Sequence, residues 1–135
     1  MSNISRSKVR VESMKLLYKW YLYKKNKINC SIDELIGDSV IKNNEFGKDI
    51  IYGVTSHEDD LRMLANKYLN KWTIDRLGFT DQAILEIAIY ELMYTNTPEK
   101  VIINEAIEMA KEYSDEAVVK MINGVLDKVY HNECR

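Results

Sequence analysis

Apolar residues recur three and four positions apart along almost the whole chain, the spacing of helices that each bury one side. One proline and five glycines in 135 residues leave little to break that period, so the pattern predicts an all-α fold. In the first helix-length of chain, Met14, Leu17, Tyr18 and Tyr21 fall together on a helical wheel, and Ser13, Leu16 and Trp20 widen the same arc. Lys8, Lys15 and Lys19 cluster on the opposite side, while Arg6 and Arg10 point along the apolar arc, where they should overhang the packed body within reach of a partner. Ser31 and Glu34 have capping-box spacing and should open a short helix reaching about Ile41, followed by a hinge at Asn43 and Asn44. The stripe Phe46, Ile50, Ile51, Val54, Leu61, Leu64, Ala65 and Tyr68 predicts one long helix from Glu45 to Leu69.

Further on, "KWTIDRLGFTDQ" reads as a short helical turn stopped by Gly78, with Thr80 capping the next helix and Asp81 in its first turn. That next helix, "DQAILEIAIYELMY", is apolar on nearly every side apart from Glu86 and Glu91, which predicts the central, most buried element. Thr97 as N-cap with Pro98 at the first helical position starts a helix whose stripe is Ile102, Ile103, Ala106, Ile107 and Ala110. Ser114 should cap a last helix with Val118, Met121, Ile122, Val125 and Val129 toward the core. Gly124 lies inside that helix at a cost of about 1 kcal/mol relative to alanine, which predicts a neighbouring backbone too close for a Cβ.

The length and a hydrophobic content of 46% suit a single domain with a real core. A formal net charge of −2 conceals an asymmetry: residues 1 to 27 carry eight basic side chains against one acid, and the remainder eleven against twenty. No signal-peptide pattern or long apolar run appears, so a cytoplasmic protein without a membrane contact is expected. Cys30 and Cys134 have no CxxC partner and read as reduced thiols. His57 and His131 lack ligand-spaced neighbours, the glycines are isolated, and no nucleophile frame occurs. The expectation is a protein without catalytic residues, metal or cofactor.

What the function classes leave is the stretch "RSKVRVESMKLLYKWYLYKK", residues 6 to 25, with seven lysines and arginines beside three tyrosines and a tryptophan. A basic ridge long enough to follow several phosphates, next to Tyr18, Trp20, Tyr21 and Tyr23 as stacking faces, suits single-stranded RNA. No helix-turn-helix or zinc-finger frame presents a reading helix to duplex DNA. A lipid surface is the weaker reading, because these aromatics share their arc with residues needed for packing. A helical adapter whose ridge meets an acidic protein stays open as a competitor.

The segments "WTIDRL", "DQAILEIAIYELMY", "VIINEAIEMAKEYSDE" and "INGVLDKV", with "RSKVRVESMKLLYKW" at the start, resemble the NusB family of transcription antitermination factors over nearly the whole chain. That resemblance implies about seven helices in two packed subdomains, an N-terminal one of about residues 1–70 and a C-terminal one of about 71–131. It also implies joint binding, with the small-subunit ribosomal protein NusE, of a boxA-like single-stranded element in nascent ribosomal RNA, within an RNA polymerase antitermination complex. Monomer and homodimer are both compatible with it. By position, Arg6, Lys8 and Arg10 match the basic RNA-binding motif and Tyr18 its tyrosine, while Lys15 joins them as the continuation of the ridge; Asn123 and Lys128 match the part of the last helix beside that surface, and Asp75, Arg76 and Asp81 are the candidates for the protein partner. The chain departs from the family pattern at Ser7, Lys8, Val9 and Val11 around the basic motif, and at Glu86, Ala117 and Met121. A stand-alone relative of the helical domain joined to some ribosomal RNA methyltransferases is a third reading, although no methyl-donor segment follows.

Overall fold

A computed structural model describes residues 4–134 as seven α-helices and one 3-10 turn, with no strand among the described residues. The helices are α1 (Arg6–Lys25), α2 (Ile32–Gly37), α3 (Glu45–Ser56), α4 (Glu58–Tyr68), α5 (Phe79–Tyr94), α6 (Glu99–Tyr113) and α7 (Glu116–Glu133), and the 3-10 turn Ile74–Arg76 links α4 to α5.

As its apolar circumference predicts, α5 is the central element. Every residue from Gln82 to Glu91 is buried, and the helix packs against α1, α3, α4, α6 and α7. Around it, α1 rests on α2, α3 and α5, and α7 rests on α4, α5 and α6. The side chains that carry this packing include Leu17, Ile50, Ile51, Leu61, Ile84, Leu85, Ile89, Ile102 and Ile122, all below 2% exposure. Burying each is worth roughly 1.5–3 kcal/mol. None of the described helices is long and apolar enough to cross a membrane.

The Ser31–Glu34 capping box forms as expected, but α2 ends at Gly37 instead of reaching Ile41. The predicted long helix from Glu45 to Leu69 is two helices that meet at His57, whose φ of −112° and ψ of 18° are not helical. The cause is local. The Thr55 hydroxyl donates to the Ile51 carbonyl and the Ser56 hydroxyl to the Tyr52 carbonyl, both removing acceptor strength from the ladder just before the break. Glu58, Asp59 and Asp60 then sit in the first turn of α4, where negative charge favours a new N-terminus.

Three caps also move by a residue or two. Gly78 and not Thr80 occupies the N-cap of α5, and Pro98, expected at N1, itself occupies the N-cap of α6. Asp115 accepts from the Val118 amide to cap α7, while the Ser114 hydroxyl, expected to do so, donates to Asp81. Gly124 is exposed, and a Cβ built on it would meet nothing within 4 Å, so close packing does not explain that glycine. Gly53 is the opposite case: an added Cβ would lie 2.1 Å from Tyr90 Cζ, so only glycine lets α3 lie flat on that ring.

Candidate nucleic-acid interface

The N-terminus of α1 is set by Ser5, whose hydroxyl accepts from the Lys8 amide. From there the helical period separates its cations into two populations. Lys8, Lys15 and Lys19 are exposed along one side, continuing as a ridge for about three turns. Between them lies Glu12, its carboxylate 3.1 Å from Lys8 Nζ and 3.6 Å from Lys15 Nζ. The hydrogen bond and charge of Glu12 raise the Lys8 ammonium above its ordinary value. The ridge is therefore partly neutralised by its own helix.

Arg10 belongs to the other population, and here the expectation of an accessible arginine is corrected. Its side chain is 4% exposed and reaches carboxylates of both α5 and α6. Nε and Nη2 donate to the two carboxylate oxygens of Glu91 at 2.7 and 2.8 Å, and Nη1 lies 3.6 Å from Glu105. Burial alone would lower the Arg10 value, but Glu91 and Glu105 outweigh it and shift it upward, so the guanidinium stays charged. Arg10 presents no donor to a ligand; it fastens α1 to the body.

Arg6, one turn earlier, is exposed, with its guanidinium stacked 4.3 Å from the centroid of the Phe46 ring on α3. Tyr18 is 43% exposed and meets Phe79 edge-on at 5.8 Å, so one face remains available. Tyr21, counted with the stacking rings, is instead buried, and its hydroxyl donates to Glu86. Trp20 and Tyr23 are half-buried.

Glu86 and Glu91, the two polar positions of α5, are both buried. Glu91 is answered by Arg10. Glu86 meets Tyr21 from α1 and, at 3.5 Å, Arg62 from α4; burial pushes its carboxyl up to about 7.

Asn123 and Lys128 are exposed on α7, which packs against α4, α5 and α6. The three partner candidates are brought closer together. Arg76 and Asp81 line one groove of about 480 Å³ with Trp72, Val118 and Met121. Asp75 lies with Arg76 and Trp72 in the adjoining cleft. Burial raises the Asp81 carboxyl, offset in part by the Ser114 hydroxyl. Trp72 is 53% exposed at the junction of the two grooves, a large apolar surface the sequence pattern did not single out. No cluster of three metal-ligating side chains occurs among the described residues.

The scaffold thus carries a cationic ridge on α1 and a mixed apolar and charged groove between the α4–α5 link and α7. The NusB family matches residues 7–131. The transcription antitermination protein NusB of Campylobacter jejuni subsp. doylei is 37% identical over 125 residues, covering 91% of this chain and 93% of that protein. NusB of T. maritima superposes with a TM-score of 0.85 at 26% identity, over 99% of this chain and 96% of that one. A structure of antitermination factors NusB and NusE in complex with double-stranded RNA shares the fold, with a TM-score of 0.79 at 24% identity over 93% and 96% of the two chains. This chain belongs to the NusB family, whose members are transcription antitermination factors that act by binding and not by catalysis.

Proposed function

We propose that this protein binds a boxA-like single-stranded element of nascent ribosomal RNA together with the ribosomal protein NusE, as part of an RNA polymerase antitermination complex. The observation that carries the reading is the exposed line of Lys8, Lys15 and Lys19 with Tyr18 beside it, together with an exposed Arg6 at the start of the same helix, in a chain whose remainder is acidic. Cations in that line neutralise phosphates, and Tyr18 offers a face to an unpaired base. In this reading the N-terminal subdomain, about residues 1–70, carries the RNA ridge, and Arg76, Asp81 and Trp72 of the C-terminal one, about 71–131, receive the protein partner. Support for both ligands comes from the solved relative of the same fold, which holds NusE and RNA, although that RNA is double-stranded.

The test is the salt dependence of binding to a boxA-like RNA in the presence of NusE. Four phosphate contacts give a log–log slope of about −3, at roughly −0.7 per contact on a single strand. Replacing Arg6, Lys8 and Lys15 by alanine together should flatten the slope to about −0.7. Affinity that is indifferent to salt, or that survives the triple replacement in a folded protein, would overturn the reading.

A further inference from the structure

Beside Arg6 lies a groove of about 450 Å³, lined by Arg6, Phe46, Asp49, Thr95, Asn96 and Pro98 among others, a size within the roughly 300–1,000 Å³ of small-ligand clefts. Its chemistry is unlike that of the lysine ridge. No carboxylate among the described residues lies within ion-pair distance of Arg6, whose cationic head is held in place by the Phe46 ring. Asp49 is exposed, and its orientation is imposed from behind: the Tyr90 hydroxyl lies 3.1 Å from each of its carboxylate oxygens. Tyr90 is in turn immobilised, because its ring lies against the bare Cα of Gly53. Asn96 is exposed at the other wall, in the link between α5 and α6.

A cation without an ion-pair partner among the described residues, lining one groove with an oriented carboxylate and an exposed amide, is not arranged for phosphate alone, since Asp49 repels it. It matches one nucleotide. A carboxylate accepts from the exocyclic amino group of a base, whereas the one ring donor of uracil, N3–H, lies between two carbonyl oxygens that repel a carboxylate; an asparagine amide both donates to and accepts from a base edge.

Resting on the RNA-binding reading above, we propose that this groove is the base-reading subsite of the interface. Arg6 takes a phosphate at its rim, and Asp49 and Asn96 take the edge of one base that carries an amino group: adenine, guanine or cytosine, and not uracil. Tyr90 and Gly53 act as positioning residues that hold Asp49 in its reading orientation. The lysine ridge then supplies affinity irrespective of sequence, and the groove supplies the discrimination.

The experiment measures anisotropy of the full chain with NusE on a boxA-like RNA and on a panel in which each amino-bearing base is replaced singly by uridine. In the native protein, one replacement should weaken binding by roughly tenfold or more. Asp49→Asn retains an oxygen for the Tyr90 hydroxyl, so the fold is kept; it should erase the penalty at that one position while leaving the salt slope in place. Asn96→Ala should reduce the same penalty, and Arg6→Ala should weaken every RNA alike and lower the slope by about 0.7. A uridine profile that is unchanged in both Asp49→Asn and Asn96→Ala, with RNA still bound, overturns the subsite and leaves the RNA reading standing. Loss of NusE affinity in these variants without a change in RNA preference overturns it in favour of a protein contact. Native protein that binds no RNA at all removes both.

Discussion

Replacing Arg10 by alanine separates a structural arginine from a ligand-binding one. The guanidinium is almost fully buried, makes two charged hydrogen bonds to Glu91 and lies near Glu105, while the Glu91 side chain is itself 1% exposed. Truncation leaves the Glu91 carboxylate inside the protein without its counter-charge, a change that costs about 3–5 kcal/mol. Domains of this kind have about 5–15 kcal/mol in total, so the loss is a large share of the stability. Urea unfolding followed by far-UV circular dichroism should show the unfolding free energy fall by that amount for Arg10→Ala and for Arg10→Met. The double variant Arg10→Met with Glu91→Leu removes both charges and fills the same space; it should recover most of the loss, giving a coupling energy of several kcal/mol in the double-mutant cycle. RNA affinity per folded molecule should then equal that of the native protein. If Arg10→Met unfolds at the native midpoint and yet binds RNA poorly, the side chain is a ligand contact and the reasoning from burial is refuted.

Glu86 gives stability a pH dependence. Its carboxyl titrates at about 7 in the fold against an ordinary 4.5, so the folded state retains a proton over that interval and its advantage is lost as pH rises through it. The full effect is on the order of 3 kcal/mol; Glu86→Gln should flatten the melting temperature between pH 5 and 8, and parallel pH curves for the two proteins would contradict this. Because Gly124 has a helical setting with open space where a Cβ would go, Gly124→Ala should stabilise by about 0.5–1 kcal/mol in the same urea assay, and a lower midpoint would show that the glycine has a structural role. Glu12→Gln frees Lys8 and Lys15 from their shared carboxylate and should tighten RNA binding at low salt by up to roughly fivefold, a gain that disappears at high salt. Unaltered affinity would mean that the ridge does not meet phosphate.

The chain by itself determined whatever depends on neighbours within a turn or two. Helical period, the Ser31–Glu34 box, the central place of an almost wholly apolar α5 and the line Lys8, Lys15 and Lys19 are all local patterns, and the fold keeps each of them. The break at His57 was also written locally, in two adjacent hydroxyl side chains followed by three acids, but a continuous apolar stripe across it masked the signal. Tertiary structure alone decided the state of Arg10, Glu86 and Glu91. A helical wheel places Arg10 on the packed side without distinguishing an overhanging cation from a buried one. The outcome turns on a carboxylate 81 residues later, because a charge enters the interior only where an opposite charge and its hydrogen bonds meet it. The groove that joins Arg6 to Asp49 and Asn96 was invisible for the same reason: two helices, α1 and α3, and the α5–α6 link, all distant in sequence, form its walls, and only their packing brings those side chains to one place.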